Sequence, residues 1–403
     1  MGQVRTTALA VPGFQLGTAA AGIRYSGRDD LVLIELPAAA VTGACFTRNR
    51  FCAAPVVLAR RHLDRATPGV MLINAGNANA GTGAAGMDVA VASCRAAAAV
   101  AGCAAESVLP FSTGVIGEAL PLDRLTAALP AAWEARRADG WQDAAAAIMT
   151  TDTVPKLASV TLELNAQTFT VTGMAKGSGM ICPDLATMLA FVVTDAPLDA
   201  AAVDAGLKHA VARSFNRITV DGDTSTNDAV TLTAAPPQAG TEAIGIDHPD
   251  YAAVTEAVTA VCEALALAIV RDGEGATHVV KIQVAGARTD ADADTVARTV
   301  AGSPLVKTAM FAADPNWGRI LAAVGRAPID DLSIEQVGIR IDDLPIVADG
   351  EPSPAYDEAA AAALMARETY TITVLLGNGS GKASLWTCDL SHDYVSINAD
   401  YRS

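Results

Sequence analysis

Basic residues are scarce in this 403-residue chain. Lys and Arg total 28 against 44 Asp and Glu, which gives a net charge of −16. Nucleic acids and anionic membrane surfaces are bound through clustered Lys and Arg, so the composition argues against both as partners. We interpret the acidity as a property that keeps the protein in solution, and it identifies no substrate.

Targeting and membrane segments are also lacking. Pro12, Gly13 and Gln15 interrupt the start of the chain, so no basic region is followed by an unbroken apolar stretch. We expect no segment to reach the roughly 18 uncharged apolar residues that a membrane helix requires. The seven cysteines are scattered and include no CxxC pair, which is typical of reduced thiols. The sequence therefore predicts a soluble, cytoplasmic protein.

Several familiar catalytic motifs are missing as well. The five histidines show no metal-site spacing, and the acidic run 221–225 lacks the later Gly and Glu of a calcium loop. Ser178 is flanked by glycines, but a serine-hydrolase elbow needs them two residues away, where Lys176 and Met180 stand. We interpret the Gly-rich run 377–382 as a tight loop between two strands. No metal or bound cofactor is predicted.

What the chain does have is ample apolar material, 51% of its residues, in a length that favours two domains. Apolar runs and helical periodicity interleave along it, which predicts an α/β fold with mixed sheets. The predicted strands are 31–36, 55–59, 70–74, 158–164, 169–173, 188–194, 278–284, 336–341 and 370–376. The predicted helices are 88–100, 124–137, 199–214, 251–271 and 357–367.

One segment, 174–191, carries candidate chemistry. It reads as a glycine-rich loop with one lysine, then a Pro-Asp turn, then a strand that begins at Thr187. A hydroxyl at such a junction can attack the preceding carbonyl, that of Ala186, and cut the chain. The new α-amine of Thr187 then serves as the base for its own hydroxyl, which removes the need for histidine. Spacing alone leaves open an ordinary loop that enters a core strand.

The run 176–191 closely resembles the signature of the ornithine acetyltransferase family, also called glutamate N-acetyltransferases. The family pattern is KGSGMIAP-[ND]-MATMLAF, and this sequence departs from it at Cys182 and Leu185, both apolar-for-apolar changes. The similarity extends over essentially the whole chain. The other blocks that resemble the family are 76–80, 149–153, 225–228, 314–319 and 397–401.

The resemblance implies that the chain cuts itself between Ala186 and Thr187. The products are an α chain, 1–186, and a β chain, 187–403, in which Thr187 is the nucleophile that takes the acetyl group. Block 112–117 matches the one that supplies the oxyanion hole, which assigns that role to Thr113 and Gly114. A hydroxyl and a backbone N–H are the donor types that acyl transfer needs.

The resemblance also implies a set of substrate-binding residues. Ornithine and glutamate both carry an α-carboxylate, which a cation such as Lys176 and hydroxyl donors can bind. Glu274 can receive the ornithine ammonium group. At Ser403 the family often has threonine, so the hydroxyl matters more than the residue type. The implied binding residues are Thr153, Lys176, Thr187, Glu274, Asn398 and Ser403.

The family fold is a two-domain α/β sandwich with mixed sheets, of the N-terminal-nucleophile type. Its α and β chains stay associated and pair into a heterotetramer of two α and two β chains. The implied activity moves an acetyl group from N-acetylornithine to glutamate in arginine biosynthesis, without a cofactor. Acetyl-CoA is a candidate second donor, since some family members use it and the signature does not discriminate.

Two alternatives to this function remain. In an N-terminal-nucleophile amidohydrolase or aminopeptidase of related fold, Thr187 would pass its acyl group to water instead of to glutamate. A non-catalytic binding protein would keep an uncleaved chain. The presence of Lys176, Glu274 and Asn398 favours an amino-acid acceptor.

Overall fold

The computed structural model describes residues 2–182, 188–238 and 241–401. The chain divides into two compact units. Unit 1 comprises Met1–Asn216 and Asp223–Ile269, and unit 2 comprises Arg217–Gly222 and Val270–Ser403. The division into 1–186 and 187–403 is a different one, because it concerns the covalent chain after cleavage, and it stays a prediction.

Strands and helices interleave along the described chain, as the sequence predicts. The strands are β1 (Gln15–Ala19), β2 (Leu31–Glu35), β3 (Val41–Phe46), β4 (Val70–Asn77), β5 (Val108–Val115), β6 (Lys156–Leu164), β7 (Gln167–Lys176), β8 (Leu189–Thr194), β9 (Ile218–Thr219), β10 (Ala229–Ala234), β11 (Val279–Ala287), β12 (Gly338–Ile341), β13 (Leu344–Ala348), β14 (Glu351–Pro352), β15 (Thr369–Leu375) and β16 (Gly381–Cys388). The helices are α1 (Ala54–Leu63), α2 (Gly83–Ala101), α3 (Leu122–Glu134), α4 (Trp141–Ala147), α5 (Ala200–Arg213), α6 (Tyr251–Arg271), α7 (Asp290–Ala301), α8 (Pro304–Phe311), α9 (Trp317–Gly325), α10 (Glu358–Met365) and α11 (His392–Asp400).

Two mixed sheets pack face to face in unit 1. Their strand orders are β1-β2-β4-β5 and β3-β10-β8-β7-β6. Apolar side chains from both fill one core, in which the rings of Phe111 and Phe191 meet edge to face with centroids 5.0 Å apart. Helices α2 and α3 cover the outer face of the first sheet, and α5 and α6 cover that of the second. Unit 1 is thus a layered α/β/β/α sandwich.

Strand β8, which begins two residues after Thr187, lies in the middle of the second sheet. It pairs antiparallel with β7, where Lys176 is opposite Leu189. On its other side it pairs parallel with β10, where Leu189 is opposite Ala229. Every residue of β8 is buried, which is typical of a strand covered on both faces.

The segment 55–59 is a helix, and the strand prediction there is wrong. It lies inside α1, with Pro55 in the first turn, where a missing N–H costs nothing and the fixed φ suits a helix. Val56, Ala59 and His62 are buried at helical spacing, and α1 packs against β5. A five-residue apolar run fits a strand or a helix equally well, and the proline was the signal that distinguished them.

Helices α2 and α6 are long and apolar enough to cross a membrane by length and composition only, although neither is an uncharged apolar run. Both nevertheless pack on sheets of unit 1. In α6, the side chains of Val261 and Leu265 lie against Gly173 of β7, where a Cβ atom would approach them to about 3 Å. Both helices therefore pack on sheets of the fold, and their length and composition are weak evidence for a membrane span.

Unit 2 contains a sheet with strand order β14-β13-β12-β15-β11-β16-β9. Helix α7 packs on β11 and β16 and also contacts α9, and their apolar side chains form the core of the unit. The Gly-rich segment 377–382 links β15 to β16, and Gly377 adopts a left-handed φ of 74° there. It is the tight loop that the sequence predicts.

Candidate active site

The proposed oxyanion-hole residues lie where two parallel strands end side by side. Thr113 and Gly114 are at the end of β5, opposite Ala75 and Gly76 of β4. Gly114 has a φ of 134°, and a Cβ atom there would lie 2.2 Å from the carbonyl carbon of Gly76, so only glycine fits. Thr113 and Gly114 are half-buried between buried neighbours, which leaves both open to a ligand. Within the described part of the chain, the Thr113 hydroxyl makes no hydrogen bond.

Buried amide side chains hold these strand ends together. The Ser112 hydroxyl donates to Asn74 Oδ1 at 2.6 Å, and Asn74 Nδ2 donates to the Asn77 carbonyl at 2.9 Å. Asn227 Nδ2 donates to the carbonyls of Ala78 and Ser112, at 2.7 and 2.9 Å. Buried, hydrogen-bonded side chains therefore hold the backbone that carries Thr113.

Sequence reasoning assigned no role to these amides. Asn77 and Asn227 stood inside blocks that resemble the family, but nothing in the sequence says that they meet. The available signal was the run of asparagines that follows the apolar strand 70–74. Buried amides at a strand end are rare unless they are hydrogen-bonded, so such a run indicates a structured corner.

Lys176 lies at the end of β7 and is 7% exposed. Its ammonium group donates to the Thr150 hydroxyl at 2.9 Å and lies 3.8 Å from Asp152 Oδ2. Asp152 also accepts from Lys156 Nζ and from the Gly177 N–H, both at 2.6 Å. Burial opposes ionisation of Asp152, but Lys176, Lys156 and the Gly177 N–H outweigh it and hold the pKa of that carboxyl well below its ordinary value. The cation of Lys176 is thus held by a buried carboxylate.

Thr153 follows Asp152 directly and is exposed in the segment that precedes β6. The same segment is joined to the loop after β7 by a 2.7 Å hydrogen bond between the hydroxyls of Thr151 and Ser178. The structure therefore brings two predicted binding residues, Thr153 and Lys176, to one corner of unit 1.

The predicted cleavage site, Ala186 and Thr187, lies outside the described residues. Its flanks are described. The Cys182 carbonyl accepts from the Thr224 hydroxyl at 3.2 Å, and the Met188 carbonyl accepts from the Ala229 N–H at 3.1 Å.

Unit 2 carries two further predicted binding residues, and they are in contact. Asn398 of α11 donates through Nδ2 to Glu274 Oε2 at 2.6 Å. Glu274 is 7% exposed, whereas Asn398 lies on the exposed side of the helix. The start of α11 is joined to the same segment by a 2.6 Å hydrogen bond from the Ser391 hydroxyl to the Gly275 carbonyl. Ser403 lies outside the described residues.

Comparison with known proteins identifies the family. The ArgJ family model matches residues 15–403. The chain is 54% identical over 394 residues to an arginine biosynthesis bifunctional protein ArgJ of Methylococcus capsulatus, with 98% of this chain and 96% of that protein covered. It is 48% identical over 400 residues to a protein of the same name from Psychrobacter arcticus, with coverage of 99% and 98%. A crystal structure of the ArgJ protein of Bacillus halodurans is 43% identical and covers 53% of this chain and 100% of its own, with a TM-score of 0.50. With the layered α/β fold and the match over nearly the whole length, the chain belongs to the ArgJ family of arginine-biosynthesis enzymes.

Proposed function

We propose that this chain cuts itself between Ala186 and Thr187 and then uses Thr187 to move an acetyl group from N-acetylornithine to glutamate. The observation that carries the proposal is the pairing of Lys176 with Leu189 across β7 and β8. Leu189 follows Thr187 by two residues in sequence, which supports a role for the buried Lys176 cation at the nucleophile. Family membership and the signature around Thr187 support the same assignment.

Maturation needs only the chain and one water molecule. The Thr187 hydroxyl attacks the Ala186 carbonyl carbon, and the peptide C–N bond breaks as the acyl group moves from nitrogen to oxygen. Water then hydrolyses this ester, which leaves a carboxylate on Ala186 and a free α-amine on Thr187.

Acetyl transfer follows in two half-reactions. The α-amine takes the proton of the Thr187 hydroxyl while its oxygen attacks the acetyl carbonyl of N-acetylornithine. The Thr113 hydroxyl and the Gly114 N–H stabilise the oxyanion that forms. Collapse of this intermediate expels the amine of ornithine, which takes the proton back, and leaves acetyl-Thr187. The amine of glutamate then attacks that ester and restores the free enzyme.

Each substrate offers a carboxylate to Lys176, and the ornithine side chain offers a cation to Glu274. Thr153, Asn398 and Ser403 complete the proposed binding set. We further propose that acetyl-CoA is a second donor, that no cofactor is bound, and that two α and two β chains assemble in the cytoplasm. The bifunctional names of the relatives support the second donor. Steady-state assays with each donor alone and glutamate as acceptor test it.

A mass measurement tests the central proposal. The denatured protein should give two chains with a break between Ala186 and Thr187. Brief incubation with N-acetylornithine and an acid quench should add one acetyl group to Thr187. Thr187→Ala should stay whole and inactive, whereas Thr187→Ser, which keeps a hydroxyl, should be cut and retain partial activity. Acetyl on another residue, or near-normal transfer by Thr187→Ala, would refute the mechanism.

The same acetyl-enzyme distinguishes transfer from hydrolysis. Glutamate should consume the acetyl group much faster than water does. Equal decay with and without glutamate would assign the chain to the amidohydrolase alternative.

A further inference from the structure

The loop between β1 and β2, residues 20–30, carries a tyrosine and an arginine that take no part in the mechanism above, Tyr25 and Arg28. Asp30, at the end of the loop, is 1% exposed. Its carboxylate accepts the three backbone N–H groups of residues 21–23 at distances of 2.7 to 3.2 Å. Hydrogen bonds to a charged acceptor are the strong ones, so this loop has a well-defined conformation.

Tyr25 lies against the strand ends of the candidate oxyanion hole. A Cβ atom on Gly76 would lie 3.4 Å from Cε2 of the Tyr25 ring. Gly76 is itself opposite Gly114 in the pairing of β4 with β5. The ring therefore borders the strand ends that carry Thr113 and Gly114.

Arg28 contacts both this ring and the segment that binds Lys176. Its guanidinium carbon, Cζ, lies 3.9 Å from the centroid of the Tyr25 ring. Its Nη2 donates to the carbonyl of Met149. The next residue, Thr150, accepts from Lys176 Nζ at 2.9 Å. Arg28 and Lys176 are thus two cations bound to adjacent residues of one segment.

Part of this guanidinium is unsatisfied. Among residues 2–182, 188–238 and 241–401, Arg28 has no carboxylate partner, and its buried Nε has no hydrogen-bond acceptor. Arg24 of the same loop, by contrast, pairs with Glu118 at 3.2 Å. Buried donors in folded proteins are nearly always paired, and a half-buried guanidinium is accessible to a small ligand. These features indicate an anionic ligand, because a guanidinium binds a carboxylate through two parallel N–H groups.

The proposed reaction needs a second site for an anion. Ornithine and glutamate share an α-carboxylate, which Lys176 is proposed to bind, but their side chains carry opposite charges. Glu274 suits the side-chain ammonium group of ornithine and would repel the side-chain carboxylate of glutamate. The acceptor substrate therefore requires a cation of its own.

We propose that Arg28 binds the side-chain carboxylate of glutamate and so selects the acceptor in the second half-reaction. This inference rests on the proposed function. Stacking on Tyr25 and the bond to the Met149 carbonyl fix the plane of the guanidinium, and its remaining N–H groups, Nε among them, bind the carboxylate. Because N-acetylornithine has no second carboxylate, Arg28 contributes nothing to the first half-reaction.

Arg28→Gln tests the inference, because it keeps an N–H donor for the Met149 carbonyl and removes the charge. Acetyl-enzyme is formed from N-acetylornithine, separated from ornithine by rapid gel filtration, and mixed with glutamate or with glutamine, which has a neutral side chain of the same shape. Mass spectrometry follows the loss of the acetyl group. The wild type should react with glutamate faster than with glutamine by roughly tenfold or more, since a hydrogen-bonded charge pair is lost with glutamine.

In Arg28→Gln, the reaction with glutamate should slow by roughly tenfold or more. Its reaction with glutamine and its acetylation by N-acetylornithine should stay close to those of the wild type. A variant that slows both half-reactions alike, or that keeps the wild-type preference for glutamate over glutamine, would overturn the inference.

Arg28→Lys and Arg124→Gln are the matched controls. Lysine keeps the charge without the planar pair of donors and should recover part of the preference for glutamate. Arg124 of α3 also donates to a carbonyl of the loop, that of Gly22 at 2.8 Å, but it is exposed. Arg124→Gln should leave both half-reactions unchanged.

A measurement on the wild type covers a variant that fails to fold. Phenylglyoxal modifies accessible arginines, and peptide mass spectrometry gives the rate of modification at Arg28. Glutamate should lower this rate several-fold, whereas glutamine and N-acetylornithine should not. An equal rate with and without glutamate would overturn the inference. If the wild type forms no acetyl-enzyme from N-acetylornithine, it is the proposed function that fails, and protection of Arg28 by glutamate can still be measured.

Discussion

Thr113 offers a hydroxyl that no other described residue uses, at a strand end that buried amides hold rigid. Thr113→Ala should lower kcat by roughly 10², the usual loss for one oxyanion donor, and leave KM for N-acetylornithine nearly unchanged. Thr113→Ser keeps the donor and should retain most of the activity. Steady-state kinetics measure both, and an effect confined to KM would reassign Thr113 to substrate binding.

At the scale of single residues, the candidate site was predicted from the sequence only through its resemblance to the family. Lys176, Glu274 and Asn398 were assigned to substrate binding through the resemblance to the family, and these roles stay predictions; the structure pairs the last two at 2.6 Å. Asp152 and Asn227 were missed as residues that hold the candidate site. Their roles depend on strands that are distant in sequence, so spacing along one chain contains no information about them.

At the scale of elements, Asp152 joins the paired ends of two strands. It accepts from Lys156 at the start of β6 and from Gly177 just after β7. Its pKa is lower in the folded protein than in the unfolded chain. This carboxylate therefore stabilises the fold above its unfolded pKa of about 3.9, and the contribution is lost as pH falls towards the folded pKa.

Asp152→Asn should cost about 3–5 kcal/mol at pH 7, because it leaves buried ammonium groups without their carboxylate. The difference in free energy of unfolding between wild type and variant should shrink steadily below about pH 4. Denaturant titrations across pH 3–7 measure it. A difference in free energy of unfolding that stays constant over that range would mean that Asp152 does not stabilise the fold as an ionised carboxylate. The variant should also weaken binding of both substrates, since Lys176 loses its support.

Almost every strand and helix predicted from the sequence is present, although about half of the described elements were not predicted, and the one wrong strand shows where such reasoning fails. The sequence distinguishes helix from strand clearly where a segment is long and periodic, as in α6, or where an apolar run is uninterrupted, as in β8. The run 55–59 is too short to show a period, and only tertiary contact with β5 fixes it as helix. The pairing order of the sheets was not predicted, because it is set by packing between segments far apart in the chain.

At the scale of the whole molecule, the proposed cut would leave the strands of one sheet distributed between two chains. In the order β3-β10-β8-β7-β6, strands β8 and β10 belong to the expected β chain. Strands β3, β7 and β6 belong to the expected α chain and flank them on both sides. Separation of the chains would break two strand pairings and expose buried apolar faces.

The two chains should therefore remain together at any dilution that preserves the fold. Native mass spectrometry should show no free chain, whereas denaturant should release both in a single transition. Thr187→Ala provides an uncut reference with the same sheet. Chains that part under native conditions would mean that the sheet rearranges after maturation.

The central position of β8 in its sheet has a further consequence, for the refolding of the protein. An intact precursor assembles this sheet as a first-order process, with every strand tethered to its neighbours. If the peptide bond before Thr187 is hydrolysed as proposed, an unfolded protein can refold only by a second-order encounter of two fragments, at a rate set by their concentration. The proposed cut would thus make unfolding effectively irreversible in dilute solution, so that the lifetime of the enzyme would depend on how slowly the sheet opens.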